Sequence, residues 1–176
     1  MNRYADVESL IRATDQAFQA TLHAVLDGDR HGAREVLQGA AHRRGLVDTA
    51  QAALRARPWV PKPQLVAELR FVVEVGRLGD LVEDLARHVV SGSDPARLSP
   101  SRRLEVAALL DAGERRFHHL ADGVIAGGLD PTYRGCAATL YAVADRAGRD
   151  HSATVELCGG LAAGLLRVSR YAAAAA

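Results

Sequence analysis

From Leu65 to Gly92 the chain runs without a proline, and Leu65, Leu69, Val72, Gly76, Gly79, Val82, Ala86 and Val89 recur at steps of three or four residues. That spacing is one face of an α-helix. Val73, Leu78, Leu81 and Leu85 widen the face beyond what a single partner can cover, so the stretch 61–92 reads as a helix in the middle of a bundle. Arg70, Glu74, Arg77, Asp80, Asp84 and Arg87 fall on the other side, mostly three or four apart, where opposite charges support a helix modestly. Pro61 and Pro63 suit its start, and Ser91-Gly92 its end.

Two further periodic stretches precede it. Residues 2–27 carry Val7, Leu10, Ile11, Ala17, Phe18, Leu22 and Val25 inward, and Asp27-Gly28-Asp29 breaks the pattern, with Asp29 placed to cap the next helix. That second helix spans about 30–57, weakened at Gly39 and Gly45, with Ala33, Val36, Leu37, Ala40, Leu46, Val47, Ala50, Ala53 and Leu54 inward. The linker Pro58-Trp59-Val60-Pro61 comes after it, and Trp59 is expected to plug the end of the bundle. Short loops force antiparallel neighbours. Residues 93–100 are the mid-chain linker, Ser99 capping a fourth helix that opens at Pro100 and runs to about 126 through Leu104, Val106, Ala107, Leu110, Phe117, Leu120 and Ile125. A fifth helix lies near 131–147 and a sixth near 151–172, leaving Ala172–Ala176 as a frayed tail. Gly159, Gly160, Ala162, Ala163 and Gly164 would let another helix approach the sixth closely. The expected fold class is therefore all-α: two successive antiparallel three-helix bundles, residues 2–92 and 98–172.

Composition agrees. Apolar residues make up 48% of the chain but aromatics only 5%, so the core is built of Ala, Leu and Val, as helices favour. The formal net charge of +1 leaves no electrostatic footprint for nucleic acid. Cys136 and Cys158 form no CxxC pair and read as buried free thiols in a reducing compartment. No signal peptide and no membrane-spanning run is recognisable, so the expected location is cytoplasmic.

Two constellations carry metal-ligand chemistry. Asp80 and Asp84 are i,i+4, with Glu83 beside them and Glu68 some turns earlier; carboxylates so spaced can hold a hard or borderline cation. The bland alternative is a solvated face paired with Arg77 and Arg87. Glu114, His118, His119 and Asp122 on the fourth helix could add nitrogen to a carboxylate site, or form an exposed polar face; the twofold E-x-x-H of a di-iron bundle is absent. His23, His31, His42 and His151 read as surface residues. No nucleophile elbow, Walker motif or dinucleotide fingerprint occurs, and an enzyme is not expected.

The segment LVAELRFVVEVGRLGDLVEDLARHV resembles the signature helix of the PhoU family of phosphate-uptake regulators. Glu68-Leu69-Arg70 stands where that family has Asp-Leu-Arg, Val72-Val73 follows, and Asp84-Leu85-Ala86-Arg87-His88-Val89 is similar to its closing motif. At the junction LHAVLDGDRHGAREVLQG, Asp29, Ala33 and Val36 fill the family's places. The resemblance covers 2–92 in sequence and 98–172 by architecture, the sixth helix keeping no acid-rich counterpart. It implies two three-helix repeats and a signalling adaptor that contacts a phosphate ABC transporter's ATPase or a sensor histidine kinase. It also implies a possible homodimer, and iron or zinc held by acidic motifs, here Glu68, Asp80, Glu83 and Asp84. The other reading is a ferritin-like or hemerythrin-like metal bundle using carboxylates and His118.

Overall fold

The computed structural model describes residues 4–92, 98–125, 137–147 and 153–175, and every regular element in them is an α-helix. In chain order these are α1 (Ala5–Asp27), α2 (Arg30–Gln38), α3 (Ala40–Arg55), α4 (Lys62–Ser91), α5 (Pro100–Ile125), α6 (Ala137–Ala147) and α7 (Ala153–Ala175). The caps are set by the residues at the breaks. Gly28 closes α1 in the left-handed region at φ 73°, which side chains rarely tolerate. The Asp29 carboxylate then accepts from the His31 N–H at 2.9 Å. Gly92 ends α4 at φ 105°, and the Ser99 hydroxyl accepts from the Arg102 N–H at the start of α5.

The second expected helix divides at Gly39 into α2 and α3. Gly39 keeps a right-handed conformation, so the chain bends there and does not reverse. The Arg43 side chain folds back across it: a Cβ on Gly39 would lie 2.8 Å from the Arg43 guanidinium, which donates to the Val36 carbonyl at 2.8 Å.

Helix α4 is central. It packs against α1, α2, α3 and α7, and buries Phe71, Val72, Val75, Leu78, Val82, Leu85, Ala86 and Val89. Cross-helix contacts fix the directions. Arg43 meets Glu83 and Arg57 meets Glu68, so α3 runs antiparallel to α4. Arg167 meets Glu74, and the His88 ring meets the Thr154 hydroxyl, so α7 does too. Among the described residues the seams α4–α7 and α1–α5 are the most extensive, and both join helices on opposite sides of the linker expected at 93–100. One continuous apolar core draws on every helix. The small residues of α7 permit the close α4–α7 approach: a Cβ on Gly164 would sit 2.9 Å from Leu78 Cδ1. On the other seam, Phe18 of α1 lies over Gly113, its ring 5.5 Å from that of Phe117.

Several expectations are corrected. Trp59 plugs nothing: it is 92% exposed, because the proline-bounded connection carries it outside the core. Leu104 is 72% exposed, and the inner face of α5 is instead Val106, Leu109, Ala112, Phe117 and Leu120. The C-terminal alanines are not a frayed tail through their length, since α7 continues to Ala175 and buries Ala172. Glu74 is buried, not solvated. Residues 131–136 and 151–152, expected to begin the fifth and sixth helices, lie outside the described residues with Cys136 and His151. Cys158 is a buried free thiol whose pKa burial, with Glu105 nearby, pushes up to about 12. None of the described helices is long and apolar enough to cross a membrane.

Candidate functional site

Three glutamates of α4 point inward, and arginines meet all three. Glu68 accepts from Tyr4 at 2.9 Å, Arg57 at 2.9 Å and Gln64 at 3.2 Å. The Arg57 guanidinium also lies 5.0 Å from the centre of the Tyr4 ring, close enough for cation–π attraction. Glu74 accepts from Arg77 at 2.6 Å and from Arg167 of α7 at 3.1 Å. Glu83 accepts from Arg43 at 3.1 Å, Arg44 at 3.2 Å and Arg87 at 3.3 Å. A buried carboxylate is strongly disfavoured unless paired and hydrogen-bonded. Here each takes donors on both oxygens, so the charges hold α4 to α3, to the α3–α4 connection and to α7.

These contacts decide what the expected metal residues do. Glu68 and Glu83 lie roughly 22 Å apart along the helix, at about 1.5 Å per residue, and cannot share an ion. Asp80 and Asp84 are exposed on another face, where Asp84 pairs with Arg87. The four carboxylates therefore do not converge. Among the described residues no three His, Cys, Asp or Glu side chains are arranged to hold a metal ion. The arginines that complete the pairs, Arg43, Arg57 and Arg167, belong to no motif legible in the sequence. A signal for one exists all the same: Arg43 occupies a place in the inward stripe Val36, Ala40, Arg43, Val47, Ala50, Leu54.

The α5 constellation stays at the surface. Glu114, His118 and Asp122 are exposed and His119 half-buried, and the His118 ring meets the Glu114 carbonyl at 3.0 Å. Across the seam, half-buried Asp15 of α1 has its pKa raised, chiefly by desolvation, against the donor Gln19 and nearby His118. A carboxyl whose folded pKa is raised holds its proton more tightly in the native state. Its cost is absent at acid pH and grows as pH climbs through the folded pKa. Asp15→Asn should therefore raise stability at neutral pH and leave it unchanged near about pH 3, as read by urea denaturation at the two pH values.

The surface between α3 and α4 is hollowed. One hollow of about 360 Å³ is lined by Arg55, Val66, Leu69, Arg70, Glu74 and Tyr171, among others. A second, also about 360 Å³, continues it past Arg44, Val47, Asp48 and Asp80. Gln51, Val73 and Arg77 line both. Apolar side chains floor this groove and guanidinium groups stand along it, an arrangement suited to holding another surface. The chain matches no protein-family model, no curated protein and no solved structure.

Proposed function

We propose that this chain is a PhoU-like regulator: two three-helix repeats forming an adaptor that acts by contact with a phosphate ABC transporter's ATPase or a sensor histidine kinase. The observation that carries this reading is the state of α4. The segment with the family-like motifs is one uninterrupted helix whose inner face is buried from Ala67 to Val89, with its inward carboxylates neutralised by arginines. Groups so occupied hold a scaffold together and are not available for proton transfer or for an ion. Work is left to the outer surface, where burial of apolar and arginine-rich patches would bind a partner.

The test is direct binding. The untagged protein is titrated, by calorimetry, with the phosphate-transporter ATPase and with the cytoplasmic part of the phosphate-sensing kinase from the same genome. A saturable complex with either is expected, with a dissociation constant of micromolar order, about −8 kcal/mol. No binding to either overturns the reading. So does stoichiometric iron, zinc or manganese in the purified protein that disappears in Asp84→Ala and His118→Ala variants, which would establish the metal bundle in its place.

A further inference from the structure

We propose that the Arg55–Arg70 end of the α3–α4 groove, together with Trp59, docks an acidic amphipathic helix of a partner protein. The proposal rests on the adaptor reading and names its contact surface.

Trp59 is the chain's only tryptophan and is 92% exposed. The connection carrying it joins Arg55, the last residue of α3, to the first turns of α4, where Val66 is itself 45% exposed. Both Arg55 and Val66 line the groove, so the connection that bears Trp59 leaves and re-enters the helices at that end of it. Pro58 and Pro61 fix backbone φ on either side of Trp59, which lowers the ordering cost of using it as an anchor. Tryptophan and arginine are the residue types most enriched where binding energy concentrates.

Charge selects the occupant. At this end Arg55, Arg70 and Arg77 face one carboxylate, Glu74, whose two oxygens already accept from Arg77 and Arg167. Among the described residues Arg70 makes no hydrogen bond or ion pair, and the partner of Arg55 is the neutral Gln51, at 2.8 Å. Two guanidinium groups are thus uncompensated. At the other end Arg44 and Arg77 line the groove together with Asp48 and Asp80, two charges of each sign. From Val66 to Arg77 the groove follows α4 for about 16 Å, three helical turns. A partner helix with apolar residues at i, i+4 and i+7 over the Leu69 floor and acids along its flanks fits both the length and the rim. A free anion would make no use of the apolar floor or of Trp59.

The probe is a synthetic helical peptide of about four turns, leucine at those positions and glutamate at most others, titrated into the full chain while Trp59 emission is followed. Expected are a saturable blue shift that weakens with added salt, a dissociation constant raised about tenfold or more by Arg55→Ala with Arg70→Ala, and no response to the same peptide with lysine for glutamate. Arg103→Ala, on the exposed face of α5, should change nothing. The proposal is overturned if the acidic peptide leaves the emission unmoved, if the lysine peptide acts equally, or if Arg103→Ala weakens binding as much. A protein that binds the transporter ATPase or the kinase yet ignores the peptide loses this surface and keeps the adaptor reading; one that binds neither loses the adaptor reading itself.

Discussion

Gly113→Ala is expected to destabilise the protein by about 3 kcal/mol, although helix propensity alone would have alanine stabilise a helix interior by about 1 kcal/mol. Packing decides the sign. A Cβ at Gly113 would lie 2.2 Å from Phe18 Cε1 and 2.4 Å from Cζ, distances no real contact reaches. Phe18 cannot yield, because its side chain is fully buried and its ring leans on Phe117. The α1–α5 seam must open instead. Gly45→Ala, on the exposed side of α3 with nothing within 4 Å of the new atom, should show the propensity gain alone. Phe18→Ala by itself should cost about 3–5 kcal/mol through the cavity it leaves. Combined with Gly113→Ala it should cost less than the sum by at least about 1 kcal/mol, since the methyl then has room. Urea denaturation of the four variants measures this, and additive costs would show that the two residues do not meet.

Glu83→Ala should cost about 3–5 kcal/mol, the usual result of stranding one member of a buried ion pair. Arg43 is then left inside the protein with only the Val36 carbonyl for its guanidinium, while its Nε has no hydrogen-bond partner in the native structure. Arg43→Ala should cost less, because Arg44 and Arg87 still reach Glu83 from the solvent side. Replacing Glu83 and Arg43 together with leucine and methionine should recover most of the loss, since well-packed apolar pairs match buried ion pairs in stability. If Glu83→Ala is instead tolerated and the protein then loses a bound metal, the carboxylate is a ligand and not a tie.

Several helix ends can be read from the chain, because those features are local, though the division at Gly39 and the run of α7 to Ala175 depart from expectation. Asp29 and Ser99 cap, Gly28 and Gly92 stop, and the apolar recurrence from Val72 to Val89 does face the core. What cannot be read is which charged residues go inside. Glu74 falls on the polar side of the pattern, yet it is buried because Arg167, 93 residues later in the chain, reaches it. Glu68 lies on the stripe that continues through Phe71, Val75, Leu78, Val82, Leu85 and Val89, and Arg43 lies on the stripe of α3. A charge on an apolar stripe marks a buried pair, but its partner is set by tertiary packing and leaves no trace in local spacing. Grouping Glu68 and Glu83 with Asp80 and Asp84 as ligands joins two buried ties to two surface acids. The apolar bulk of Trp59 argues for an inward place; the prolines beside it hold the connection off the core.

The claim on which the fold and the proposed function both depend is that α4 is a single pinned rod. Amide hydrogen exchange resolved along the chain tests it directly. Residues 67–89 should be the most protected in the protein, exchanging only with global unfolding, and that protection should pass without a dip through Gly76 and Gly79. Local opening at that pair of glycines, or protection of α4 below that of α1 and α7, would contradict it.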